Sequence, residues 1–168
     1  MADHVDLRTK RISKAYVVTI EIRLLGPGDD GVLTRVAPDV FDASLDPSWT
    51  AEFLRDPRMH LVVALDRGTV VGFASGVHYL HPDKAPELFI NEVGVAPSHH
   101  RQGLGQRVVQ ALLERGRALG CRLAWGLTSR TNTAAMRLYA SLGGSDASEE
   151  AQVMFEFPLG VSSTAADD

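Results

Sequence analysis

The chain has 168 residues and a mass of 18.2 kDa, the size of one compact domain. Hydrophobic residues make up 45% and charged residues 23%, which excludes a disordered, collagen-like or low-complexity chain. The net charge of -4 argues against broad attraction to a phosphate backbone, so no nucleic-acid partner is expected, and it favours a cationic ligand.

Residues 1–14 carry no apolar block of signal-peptide length, and Cys121 is the only cysteine, so neither export nor a disulfide framework is supported. A flexible leader and a cytoplasmic location are expected. Residues 16–25 are rich in β-branched side chains and stop at Leu25-Gly26-Pro27-Gly28, which predicts a first strand. Asp29 to Val36 is a short helix candidate. Pro38 to Asp46 lacks periodicity and reads as a loop, a substrate-facing candidate, before a helix near Thr50 to Arg55. Leu61–Leu65 and Thr69–Leu80 read as strands joined by the hairpin turn Asp66-Arg67-Gly68. The first of these is among the longest unbroken apolar runs, about five residues against the roughly 20 that cross a bilayer, so no membrane span is expected.

Glu87 to Val95 is a further strand, interrupted by Asn91, Glu92 and Gly94. Leu104, Val108 and Leu112, widened by Val109 and Leu113, then form one stripe of an amphipathic helix over 103–119 that Gly120 can end. Leu123 to Leu127 is another strand. Ala135, Leu138, Tyr139 and Leu142 fall at i, i+3, i+4 and i+7, a second amphipathic helix closed by Gly143-Gly144, and Val153 to Phe157 returns as a strand. The order predicts an α/β fold in which strands joined through helices lie parallel. With no repeat or linker, residues 15–159 form a single domain, and 160–168 read as a disordered tail. From Gly143 onward there are six acidic residues and no Lys or Arg; these acids either line a polyamine site or form a solvated surface.

His100-Arg101-Gln102-Gly103-Leu104-Gly105-Gln106 lies between a strand and a helix. Glycines here let a phosphate approach the backbone, and the first-turn amides with the helix dipole supply positive potential. There is no Gly-Lys-Ser/Thr ending and no G-x-G-x-x-G signature, so neither a Walker loop nor a dinucleotide fold is indicated. Cys121 reads as a packed residue, Trp49 and Trp125 as packing residues, with Trp49 a second candidate for the border of an acceptor pocket. His78-x-x-His81 lacks a third ligand, and no metal is expected.

The loop Arg101-Gln102-Gly103-Leu104-Gly105, followed about 30 residues later by Asn132-x-x-Ala135-x-x-Leu138-Tyr139-x-x-Leu142-Gly143, resembles the GNAT superfamily of N-acetyltransferases. Within it, Pro86 to Val95 with His99 and Arg101-Gln102-Gly103, the turn Tyr79-Leu80-His81-Pro82 and the ending Val153-Met154-Phe155 look most like the type I aminoglycoside 3-N-acetyltransferases. The resemblance implies a mixed, centrally splayed sheet flanked by helices, with acetyl-CoA as co-substrate. It assigns cofactor contacts to Val93, Gly94, Val95, Arg101, Gln102, Gly103, Leu104, Gly105, Gln106, Asn132, Ala135 and Tyr139. The diphosphate falls to residues 101–106, and the pantetheine pairs like an added strand with Val93 to Val95.

The resemblance further implies direct attack by an amine in a ternary complex. A lysine-like ammonium, pKa near 10.4, lies ~3.4 units above neutrality, and deprotonating it costs ~4.6 kcal/mol, so a base is needed. Glu92 stands where the similar enzymes carry an acid, usually Asp, and would take the proton directly or through water. Its other role is a structural carboxylate at a strand bulge. Tyr139 matches the family's general acid, its phenol protonated at working pH, although it also lies on its helix's apolar stripe. Asn132 either binds pantetheine or caps its helix. The Val93 or Gly94 amide would polarise the carbonyl. His100 stands where the family has Arg or Gln, and Gly144 where an aromatic is frequent. Glu87, Glu92 and Glu150 are expected to face a polycationic acceptor.

The leading expectation is therefore acetyl transfer to an aminoglycoside amine, with the 3-amino group as target and antibiotic resistance as its consequence. The alternatives are acetyl transfer to polyamines, metabolite amines or protein amines, and a non-catalytic coenzyme A-binding regulatory module. A homodimer is left open.

Overall fold

The structure is a computed structural model and describes residues 20–147. The expected leader, the strand residues before Ile20, Val153–Phe157, Glu150 and the 160–168 tail lie outside the described residues. The elements are β1 (Glu21–Leu25), α1 (Pro47–Arg55), β2 (Met59–Asp66), β3 (Thr69–Tyr79), β4 (Glu87–Val95), α2 (Leu104–Ala118), β5 (Leu123–Gly126) and α3 (Thr133–Ser141). A short 3-10 turn covers Asp30–Thr34, and another covers Pro97–His99.

The five strands form one sheet in chain order. β1 to β4 pair antiparallel, and β5, reached through α2, lies parallel to β4 as expected; β1 and β2 depart from that expectation, pairing antiparallel although α1 lies between them. The β2–β3 hairpin turns at Arg67 and Gly68, both in the left-handed region. Its strands bury Val62, Val63, Ala64, Val70, Val71 and Ala74. α2 closes one face of the sheet through Leu104, Val108, Val109 and Leu112, all buried, as the four-residue spacing requires.

α1 starts earlier than the periodicity suggests. Asp46 accepts hydrogen bonds from the Ser48 and Trp49 amides at 2.8 and 3.1 Å, and Pro47 occupies the first helical position, so capping chemistry moves the start ahead of Thr50. Trp49 is not a packing residue: it is 75% exposed on that first turn. Trp125 packs only in part: its ring lies 4.6 Å from that of Phe89 and its indole N–H donates to the Tyr79 hydroxyl at 2.7 Å, but it remains 38% exposed.

β4 is irregular in two ways. Ser75 pairs with Glu92 but Gly76 pairs with Ile90, so Asn91 is an extra residue, a β-bulge. Leu88 and Ile90 turn to the α2 side, while Asn91 and Glu92 are both exposed on the opposite face. The second irregularity is that β5 accompanies β4 only from Glu87 to Ile90. Asn91 to Val95 therefore have no strand neighbour on that edge among the described residues, and the sheet splits there.

Candidate functional site

The split edge presents specific backbone groups. The Ala96 amide donates to the Val71 carbonyl on β3 at 2.9 Å, so the alternation along β4 turns the N–H and C=O of Val95 and Val93 towards the gap. The Val95 carbonyl is already occupied: His100 Nε2, which must carry the proton, donates to it at 2.8 Å. His100 thus lies against the strand edge. The Val93 amide and carbonyl and the Val95 amide have no protein strand opposite them among the described residues.

α2 begins at the end of this edge. Gly103, at φ +73°, is its N-cap, and Arg101 just before it is also left-handed at φ +58°. A side chain at Gly103 would meet the steric cost of that region, and glycine carries no side-chain oxygen with which to cap the helix. No side chain of the described residues bonds the first-turn amides; the first helical bond is Arg107 N to Gly103 O at 3.1 Å. The amides of Leu104, Gly105 and Gln106 are open donors at the positive end of a 15-residue helix. Arg101 is exposed beside them, whereas Gln102 and Gln106 are drawn aside. Gln102 Nε2 lies 3.5 Å from the Ser98 carbonyl, and Gln106 Nε2 donates to Ser141 Oγ on α3 at 2.7 Å.

The gap is flanked by Tyr139. α3 packs beside α2 through Leu138, which a Cβ at Gly105 would meet at 3.5 Å, and a Cβ at Gly126 would lie 4.0 Å from the Tyr139 hydroxyl and 3.2 Å from the Ile90 carbonyl oxygen. The phenol therefore sits where β4 and β5 part, and its hydroxyl has no hydrogen-bond partner among the described residues. Burial raises its pKa above the ordinary tyrosine value, which keeps it a proton donor. Asn132 caps α3, its Oδ1 accepting from the Ala135 amide at 3.1 Å. Ala135 is half-buried on the same helix.

Glu92 lies on the other face of the sheet from Tyr139, with no hydrogen bond or ion pair to a described residue. That face is overlain by residues 36–46. Phe41 stacks on Phe73 with ring centroids 4.0 Å apart, and the Val40 carbonyl oxygen covers Gly94. The loop borders a cleft of about 720 Å³ whose lining includes Asp30, Asp39, Asp42, Phe41 and Leu45. Its lack of periodicity makes this loop a substrate-facing candidate in the sequence, but singles out neither Asp39 nor Asp42 within it.

Glu87 is placed differently from the expectation that it faces an acceptor. It is buried at the start of β4, accepts a 2.9 Å hydrogen bond from the Tyr79 hydroxyl, and is paired with Lys84. The Lys84 ammonium first and the Tyr79 hydroxyl second hold its carboxyl below the usual range. It is committed to the β3–β4 connection, at the far end of β4 from Gly94. His78 and His81 separate as well. His78 Nδ1 and His60 Nε2 are 2.9 Å apart, while His81 packs against Tyr79. Burial raises the Cys121 thiol pKa, which leaves it less nucleophilic.

Comparison with known proteins agrees with this geometry. Residues 32–143 match the acetyltransferase (GNAT) family. The chain is 30% identical over 118 residues to an L-2,4-diaminobutyric acid acetyltransferase of Nocardia farcinica, covering 68% of this chain and 59% of that protein. It is 27% identical over 96 residues to an aminoglycoside N(6')-acetyltransferase type 1 of Salmonella typhimurium, covering 55% of this chain and 66% of that one. It thus spans about three fifths to two thirds of these relatives' lengths. Among solved structures, an aminoglycoside acetyltransferase from an uncultured soil metagenomic sample in complex with sisomicin superposes with a TM-score of 0.70. At 20% identity over 84% of this chain and 97% of that one, it shares the fold. The split mixed sheet, the uncapped helix after it and the match over residues 32–143 agree: the chain belongs to the GNAT family of acetyltransferases.

Proposed function

We propose that the protein is an N-acetyltransferase that moves the acetyl group of acetyl-CoA to a primary amine of a cationic acceptor of the aminoglycoside type. The observation that carries this reading is the split of β4 from β5 after Ile90, with open helix-start amides at one end, Tyr139 on one face and Glu92 on the other. The donor set suits the coenzyme: the amides of 104–106 with Arg101 would take its diphosphate, and the free groups of Val93 and Val95 its pantetheine amides. The alternation of β4 favours Val93 over Gly94 as the amide that polarises the thioester carbonyl.

The acceptor enters from the face that carries Glu92 and the acidic cleft. Asp30, Asp39 and Asp42 attract its ammonium groups, and a neutral amine nitrogen attacks the carbonyl carbon. Glu92 accepts the proton the nitrogen loses, the carbon–sulfur bond breaks, and the departing thiolate takes the Tyr139 phenolic proton. Glu87 has no part in this reading because its carboxylate is already held by Lys84 and Tyr79.

The motif resemblance favours the 3-amino group, whereas the Salmonella relative is named for the 6' position, so the regiochemistry follows from the product. The Nocardia relative favours a second reading, acetylation of a small diamine metabolite. Acetyl-CoA is incubated with sisomicin, 2,4-diaminobutyrate or N-terminal peptides, and thiol release is followed. Amine-dependent release that Glu92→Gln and Tyr139→Phe both suppress is expected, and the best acceptor separates the two readings. Coenzyme A binding with no release from any amine would leave a non-catalytic binding module instead.

A further inference from the structure

Ser75 lies on the Glu92 face of the sheet and takes no part in the chemistry assigned to Glu92 and Tyr139. It stands in the middle of β3, is 5% exposed, and its hydroxyl has neither a hydrogen-bond partner among the described residues nor contact with solvent. A buried hydroxyl without a partner bears the full loss of hydration with nothing in return. Alanine would fill nearly the same volume without that cost, so the oxygen calls for an explanation of its own.

The register supplies one. Ser75 is the cross-strand partner of Glu92, and directly opposed residues on an antiparallel pair carry their side chains on the same face, with Cβ atoms about 5 Å apart. A serine Oγ and a glutamate carboxylate meet readily over that separation. The bulge at Asn91 rotates β4 so that Glu92 stands exposed and unbonded. One side chain thus has a donor with no acceptor, and its neighbour an acceptor with no donor. The other titratable groups nearby do not compete. Glu87 and Tyr79 bond each other at the far end of the two strands, and Asp39 and Asp42 on the covering loop carry charge of the same sign as Glu92.

We propose that Ser75 is a positioning residue for Glu92: its hydroxyl donates to the Glu92 carboxylate when that side chain folds back across the bulge, holding one oxygen and leaving the other to accept the substrate proton. This rests on the reading of Glu92 as the proton acceptor. Without the bond the carboxylate samples several rotamers over an open face; with it, the acid is aimed at the split.

The test is a 13C-detected titration of the Glu92 side-chain carboxyl in the full chain, its resonance identified by its loss in Glu92→Gln. A donated hydrogen bond favours the charged form, so Ser75→Ala is expected to raise the midpoint by roughly half to one pH unit, and Ser75→Thr to restore it. Ser75→Ala is also expected to lose about fivefold in kcat with the acetyl-CoA KM unchanged. An unmoved midpoint in Ser75→Ala overturns the proposal. A moved midpoint together with full turnover in Glu92→Gln leaves the hydrogen bond standing and removes Glu92 as the base.

Discussion

Gly94 lies directly beneath the carbonyl oxygen of Val40, so close that a Cβ on it would overlap that oxygen and the edge of the Phe73 ring. This contact joins the loop bearing Asp39 and Asp42 to the strand bearing Glu92, so cleft and split edge are held in fixed relation. Gly94→Ala is expected to push the loop off the sheet and to cost about 1–3 kcal/mol, the usual penalty for overpacking a close contact. Urea unfolding measures it; a midpoint equal to the wild type's would show that the loop yields without resistance.

Tyr139→Phe separates chemistry from packing. The hydroxyl bonds no described residue, so its removal should leave thermal stability within about 0.5 kcal/mol while lowering kcat about 100-fold, the scale of a general acid. Burial raises the phenol pKa, so an acid that must stay protonated fails only on the alkaline side of the ordinary tyrosine range. The wild type should show that alkaline decline and the variant should lack it.

At Gly103 the left-handed backbone, φ +73°, should resist any side chain. Gly103→Ala is expected to cost about 1 kcal/mol of stability and to tilt the first-turn amides, weakening coenzyme A binding about tenfold by calorimetry. Unaltered affinity would mean that those amides do not hold the diphosphate.

The buried His60 gives the fold an acid-sensitive point remote from the cleft. Burial foremost, then the neighbouring His78 and Arg115, lowers its pKa to about 4, against a weaker opposing pull from Asp56. The unfolded chain, with an ordinary value near 6.5, binds the proton first. The stability that the neutral imidazole contributes is therefore complete above about pH 6.5 and is lost as pH falls towards 4, by about 2 kcal/mol at pH 4.5. Chemical denaturation at several pH values should show this slope, and His60→Gln should flatten it.

Much of the fold is legible in the order of residues. The four-residue stripe of Leu104, Val108 and Leu112 marks α2, and Asp66-Arg67-Gly68 marks the hairpin, because both depend on local periodicity and turn chemistry. The start of α1 escapes a reading by periodicity because a cap, Asp46, outweighs a weak pattern. The size of Trp49 suggests burial, yet its position on α1 leaves it exposed.

Sequence alone determined which backbone would be bare and which side chains carry protons: glycine at 103 offers no cap, and Glu92 and Tyr139 hold titratable groups wherever they lie. What only the tertiary structure decided is who stands next to whom. The parting of β4 from β5 after Ile90 and the meeting of Tyr79 with Glu87 depend on strand register, and the pairing of Ser75 with Glu92 depends also on one inserted residue at Asn91. Register is set by the packing of whole strands against a shared core, so no local run of residues encodes it.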